Sequence, residues 1–206
     1  MNKSPIILFG NGEVPSHPRV LNKIESVGNF ICLDGGTDKL IKLGYKPACI
    51  IGDLDSLAKK PEDYGCEFIS LPTQSKNDLE KGLEWCLDKG FKDITLVGFS
   101  GLRDDHSAAA LFSLRTFSEK MNLKMMTNFS SVYCKNGQSI FKTTPGQLVS
   151  IIAVKSNTLI RTSGLKYELN YEKLLSKGNG ISNIAITNNI EIESNGWVWI
   201  FINHLK

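Results

Sequence analysis

A chain of 206 residues, 41% hydrophobic and 22% charged, has the composition of a globular protein and the length for one large domain or two small ones. A formal charge of +3, with the basic residues scattered, excludes a nucleic-acid binder held by a basic arm. No apolar run approaches the ~20 residues of a membrane helix, and the apolar run near the N-terminus is too short for a signal peptide, so the expected location is the cytoplasm with no membrane partner.

The first half alternates two patterns. Residues 5–11 and 29–36 are short apolar runs ending in Gly, Asn or Asp, which predicts strands. Residues 37–44 carry Leu40, Ile41 and Leu43 at helical spacing and close on Gly44. A third strand ends at Gly52, and residues 66–72 predict a fourth. Residues 77–89 place Leu79, Leu83, Cys86 and Leu87 on one helical face, with Gly90 as terminator. A strand over 93–101, a helix over 104–121 and a strand over 123–128 complete this half. Strands alternating with helices predict a mainly parallel sheet covered on both faces.

Beyond residue 130 the helical spacing disappears. Asn136-Gly137 and Asn195-Gly196 each stand between strand-like runs, which predicts two hairpins. The alternating Trp197 and Trp199 are expected to pack in the core. The expected fold is therefore α/β: an N-terminal Rossmann-like parallel-sheet domain over residues 1–129, then a C-terminal all-β sandwich over 130–206. Cys32, Cys49, Cys66, Cys86 and Cys134 are widely spaced, with no C-x-x-C pair. They are expected to be structural thiols rather than zinc ligands.

The polar residues fall where ligands bind in such folds, beyond the carboxyl ends of the strands. Asp34-Gly35-Gly36, then Asp53 and Asp55, then Asp78, then Gly101, Arg103, Asp105 and His106 each follow a strand candidate. Residues two apart on an extended chain face the same way, so Asp53 and Asp55 point to one side. Two adjacent carboxylates need a shared cation or proton. Magnesium takes one or two carboxylates and completes its shell with water and phosphate oxygens. The bland alternatives stand beside this reading: Asp-x-Asp-Ser is good turn chemistry, Asp78 and Asp105 are good helix caps, and Arg103 or His106 can serve as surface or structural hydrogen-bonders.

Taken together, the segments Asp34-Gly35-Gly36, 52–56, 72–78, 101–106, 162–169 and 180–183 resemble, in order and spacing, the motifs of the thiamine pyrophosphokinases. Two positions depart from that pattern: Leu102 replaces a glycine, and Asn77 replaces a threonine. The resemblance implies transfer of a pyrophosphoryl group from ATP to the hydroxyl of thiamine, giving thiamine diphosphate and AMP. It also implies a requirement for magnesium, and a homodimer with active sites in clefts between subunits. On this reading Asp53, Asp55 and Asp78 hold magnesium, and Arg103 and Asp105 complete the catalytic set. Asp34, Gly35, Gly36, Gln74, Arg103 and His106 line the ATP site. Tyr167, Ser182 and Asn183 receive thiamine, the aromatic ring suiting a flat cation. A magnesium-dependent phosphatase of the D-x-D type and a non-catalytic nucleotide- or thiamine-binding protein are the competing readings. Leu57, standing where such phosphatases carry a hydroxyl or small branched residue, weighs against the first of these.

Overall fold

A computed structural model describes residues 4–53, 57–58, 60–72, 75–176 and 178–205. The chain divides into two compact units, Met1–Asn128 and Phe129–Lys206.

The first unit runs β1 (Ile6–Phe9), α1 (Pro18–Val27), β2 (Phe30–Leu33), α2 (Gly36–Lys42), β3 (Cys49–Gly52), β4 (Glu67–Ser70), α3 (Asp78–Asp88), β5 (Asp93–Val97), α4 (Asp104–Phe117) and β6 (Asn122–Met126). A 3-10 turn, Pro61–Tyr64, lies between β3 and β4. The six strands are parallel, in the order β6-β5-β1-β2-β3-β4. Strands β2 to β4 are added on one side of β1, and β5 and β6 on the other. The order therefore reverses between β1 and β5, the position where open α/β sheets leave a crevice at their carboxyl edge.

Both faces of this sheet are covered. On one side Val20 and Ile24 of α1 and Leu40 of α2 join Ile7, Phe9, Phe30, Cys32 and Val97 in a single buried cluster. On the other side Gly82 of α3 lies against Leu8 and Leu33, which alternate with that set. All four residues of β1 are fully buried, which is why the strand reads as an unbroken apolar run. Each such side chain stabilises the fold by about 1.5–3 kcal/mol relative to exposure.

Helix α1 has no counterpart in the expectations above. Its signals are local. His17 accepts a hydrogen bond from the Arg19 amide as N-cap, Pro18 opens the first turn, and Gly28 ends the helix with φ +63°.

The second unit runs β7 (Ser130–Lys142), β8 (Leu148–Ala153), β9 (Leu159–Ser163), β10 (Glu172–Lys173), β11 (Asn183–Ile184) and β12 (Asn189–Asn203). All of its internal pairings are antiparallel. The two expected hairpins are not formed. Strand β7 passes straight through Asn136-Gly137, and β12 passes through Asn195-Gly196. The two dipeptides instead face each other. Gly137, at φ +82°, pairs with Ser194, and the β7–β12 register shifts between Ser194 and Val198. On its other edge β12 pairs with β9 before this shift and with β8 after it. The left-handed backbone that makes Asn-Gly a good turn serves equally well in a bulge, and here it bends a long ladder where β12 changes neighbour.

Val149, Ile151, Ile160, Ile190, Ile192, Val198, Ile200 and Ile202 form the core of this unit. Trp197 and Trp199 differ from their expected role. They alternate with Val198 and Ile200, lie half-buried on the opposite face, and do not join that cluster.

Candidate active site

Four of the predicted segments lie at the carboxyl edge of the parallel sheet. Asp34 follows β2 directly. It is 6% exposed and sits at φ +36°, in the left-handed region that short polar residues tolerate. Its amide donates to the Ile51 carbonyl at 3.2 Å, and its own carbonyl accepts from the Thr37 amide at 2.9 Å. The last residue of β3, Gly52, lies against the Asp34 carboxylate so closely that any side chain at position 52 would overlap it. Asp53 comes next and is half-buried. The structure therefore brings Asp34 and the start of the Asp-x-Asp segment together across the β2–β3 pair. Asp55 and Gln74 lie outside the described residues.

Gly35 is the N-cap of α2 and Gly36 its first residue. A Cβ on Gly36 would run into the backbone of Gly10, so this glycine packs the β1 and β2 loops together. The β1 and β5 loops form a glycine-rich nest that the sequence reading missed. Gly10 donates to the Val97 carbonyl and Glu13 to that of Ser100, at 2.8 and 2.7 Å, while Gly98 turns at φ +76° against the Gly10 carbonyl. Lys39, in the last turn of α2, donates to the carbonyls of Asn11 and Gly12 at 2.6 and 2.7 Å.

Asp78 is the first residue of α3, but it is not the cap. Asn77 fills that role: its side chain accepts from the Glu80 amide, and the Glu80 carboxylate reaches back to the Asn77 amide. The loss of a hydroxyl at position 77 is thus met by an equally good capping group. Asp78 is left 54% exposed at its carboxylate, paired at 3.1 Å with Lys81, whose side chain is only 6% exposed. Lys81 was not among the expected site residues. Its position three residues after Asp78 is the signal for it, because residues at that spacing meet on one helical face.

Beyond β5, Arg103 and Asp105 form a two-pronged ion pair, Nε to Oδ1 at 3.1 Å and Nη2 to Oδ2 at 2.5 Å. Asp105 also accepts from the His106 amide. The hydrogen bonds from Arg103 lower the Asp105 carboxyl to about 2, and Asp105 in turn raises Arg103. The contribution of a depressed carboxyl to stability is present above its ordinary value of 3.8 and is lost as pH falls through about 2. Asp105 is therefore ionised throughout the physiological range and is a poor proton acceptor there. It orients Arg103. Leu102 and His106 are exposed beside the pair.

Among the described residues no group of three or more His, Cys, Asp or Glu side chains is gathered to hold a metal ion. Asp53 and Asp78 are among the described residues, whereas Asp55 is not.

In the second unit Tyr167 is 64% exposed, with the Lys166 ammonium 5.4 Å from its ring centre. The Asn183 side chain grips the Tyr167 backbone from both sides, accepting from its amide at 3.1 Å and donating to its carbonyl at 2.6 Å. It also accepts from the Ile184 amide. Ser182 sits at φ +61°, its amide held by the Ser150 hydroxyl. Tyr167, Ser182 and Asn183 are thus one local assembly, and Asn183 fixes how the tyrosine is presented.

The family model for the thiamin pyrophosphokinase catalytic domain matches residues 21–127, and that for the thiamin pyrophosphokinase vitamin B1 binding domain matches residues 138–199. The chain belongs to the thiamin pyrophosphokinase family. Its activity is that of the family, thiamine pyrophosphokinase. A thiamin pyrophosphokinase 1 from Caenorhabditis elegans is 25% identical over 226 residues, covering 94% of this chain and 91% of that protein. The crystal structure of thiamine pyrophosphokinase from Bacillus subtilis shares the fold at TM-score 0.81 and 20% identity, with 98% of this chain and 99% of that one covered. A probable thiamine pyrophosphokinase from Staphylococcus saprophyticus superposes at TM-score 0.72 and 25% identity, with 98% and 99% covered. All the aspartates singled out above fall within the catalytic-domain match, and the Tyr167 assembly falls within the vitamin B1 binding match.

Proposed function

We propose that the chain transfers the pyrophosphoryl group of ATP to the hydroxyl of thiamine, that it does so with magnesium, and that its two units divide the work. The Rossmann-like first unit holds ATP and carries the chemistry, and the second, a β-sandwich, holds thiamine. The observation that carries this reading is the line of acidic and basic groups along one sheet edge: Asp34 against Gly52, Asp53 beyond it, Asp78 beside Lys81, and Arg103 beside Asp105.

The donor set suits magnesium. Carboxylates at Asp53 and Asp78, with Asp55 two residues after Asp53, are the hard oxygen ligands that ion takes. Bound there, it would neutralise phosphate charge and orient the triphosphate. The chain's own groups do the rest. The thiamine hydroxyl oxygen bonds to the β-phosphorus as the bond from that phosphorus to the oxygen of AMP breaks, and the hydroxyl proton leaves to a base other than Asp105. Arg103, held in place by Asp105, presents its remaining N–H groups to phosphate oxygens. Asp34, Gly35, Gly36, Gln74 and His106 complete the nucleotide site.

Thiamine is a flat cation, and the exposed Tyr167 ring offers it a face. Tyr167→Ala is expected to raise the KM for thiamine roughly 2- to 30-fold, the equivalent of the ~0.5–2 kcal/mol of such a contact, while the KM for ATP changes less than about two-fold. Equal changes in both would remove Tyr167 from the thiamine site. A homodimer with its active sites between subunits, and residence in the cytoplasm, belong to the same reading. All five cysteines are free thiols, and no described helix is long and apolar enough to cross a membrane.

Incubation with ATP, magnesium and thiamine tests the reaction. AMP and thiamine diphosphate in equal amounts are expected. Inorganic phosphate alone would favour a D-x-D phosphatase, and binding without turnover would leave a sensor.

A further inference from the structure

Lys39 reaches out of α2 to the loop that follows β1, where its ammonium donates to the carbonyls of Asn11 and Gly12. That loop meets the one after β5: the Gly12 amide donates to the Gly98 carbonyl at 2.5 Å, and Glu13 packs on Gly101. The ammonium therefore lies where the strand order reverses, the crevice at which open α/β sheets take their ligands. At Gly10, Gly12, Gly36 and Gly98 an added Cβ would collide with neighbouring backbone, so these loops pack main chain on main chain and hold the ammonium at a fixed point. An ammonium has three donors. Two are spent on the carbonyls, and among the described residues the third N–H has no acceptor and the charge no carboxylate partner. Asp38, the adjacent acid, is turned elsewhere: its Oδ2 accepts from the Ala58 amide at 3.0 Å and its Oδ1 from the Tyr64 hydroxyl at 2.8 Å. Burial lowers Lys39 from its ordinary value, and the Lys42 charge adds to this, as befits a cation to which the fold supplies no counter-charge.

We propose that Lys39 is a phosphate-binding residue: its ammonium, fixed at the switch point by the Asn11 and Gly12 carbonyls, receives an oxygen of the ATP triphosphate and shares with Arg103 the neutralisation of that charge. This rests on the reading that the carboxyl edge of the sheet holds ATP. The chemistry of the pocket selects an anion. A lysine whose charge is uncompensated gains most from a ligand that brings negative oxygens, because hydrogen bonds between ionised partners are the strong ones. The carbonyls cannot serve instead, since they hold the ammonium by dipoles alone and leave its net charge in place.

Binding of ATP with Mg2+ to the full-length protein, followed by isothermal titration calorimetry without thiamine, provides the test, with KM values and melting temperatures recorded in parallel. Lys39→Gln keeps a donor for the loop carbonyls but removes the charge. It is expected to weaken ATP binding about ten-fold, the scale of a hydrogen bond to a charged group, and to raise the KM for ATP to match, while the KM for thiamine changes less than about two-fold. Lys39→Met should do the same to ATP and also lower the melting temperature, because the carbonyls lose their donor. Lys39→Arg keeps the charge and should bind ATP within about three-fold of the wild type. If folded Lys39→Gln binds ATP as the wild type does, or if Lys39→Gln and Lys39→Arg weaken it equally, Lys39 only fastens the loop and the proposal fails. Equal changes in the two KM values overturn it in the same way. If Lys39→Met does not fold, the comparison of Lys39→Gln with Lys39→Arg decides alone. A wild type that binds no ATP instead overturns the reading of the sheet edge as a nucleotide site, and the role of the lysine falls with it.

Discussion

Asp53→Asn is expected to lower kcat by about 10²- to 10³-fold, the scale seen when one preorganised charge-stabilising group is removed, with the melting temperature nearly unchanged. The substitution keeps the shape and one oxygen acceptor but removes the negative charge. Asp53 is half-buried at the end of β3, and no described hydrogen bond or ion pair of the fold runs through its carboxylate, so the fold has little to lose. Electrostatic work in phosphoryl transfer is done by charge at the phosphates, and that is what the amide cannot supply. Turnover and thermal unfolding measured on one preparation check the result. A variant within a few-fold of wild-type kcat would take Asp53 out of the metal site, and a large fall in melting temperature would make its role structural.

Much of the first unit was legible because each signal was local and the tertiary context agreed with it. Apolar runs buried on both faces became β1, β2, β3 and β5, and the expected helix over 77–89 became α3 with a cap at Asn77. The competing reading of Asp78 as a cap was settled by its neighbour, since a single helix start needs one capping side chain and Asn77 supplies it. Helix α1 went unseen because nearly three turns with fully buried positions only at Val20 and Ile24 leave a thin apolar stripe. The Asn-Gly dipeptides misled for a different reason. The sequence reports a backbone that tolerates positive φ, but whether that backbone turns the chain back or bends it depends on what lies opposite, and here each dipeptide lies opposite the other.

The aspartates of the proposed site stood out in the sequence because two carboxylates held together are costly unless they share a cation or a proton. Their supporting residues did not. Lys39, Lys81 and Asp38 are ordinary charged helix residues when read along the chain. Only the fold directs them at the Asn11 and Gly12 carbonyls, at Asp78, and at Ala58 with Tyr64.

The second large effect belongs to a residue with no functional group. Gly52→Ala is expected to abolish most activity and to lower stability by about 1–3 kcal/mol, the usual cost of overfilling a packed site. In a protein of this size that corresponds to a fall of roughly 2–12 °C in melting temperature. The added methyl overlaps the Asp34 carboxylate, and neither partner can easily yield. Position 52 is fixed by its ladder with Ser70, and the Asp34 backbone by the hydrogen bond its amide donates to the Ile51 carbonyl and by its left-handed conformation. The collision therefore either displaces Asp34 or pushes the end of β3, and with it Asp53. Asp34→Ala in the same background separates the two contributions. Trimming the carboxylate makes room for the methyl, so stability should return toward that of Asp34→Ala alone, a coupling between neighbours that a double-mutant cycle measures directly. Activity should not return, because the proposed nucleotide site still lacks Asp34. Full additivity of the two substitutions in stability would mean that the methyl is accommodated elsewhere, and the close fit of Gly52 to Asp34 would then have no bearing on how the strand end is placed.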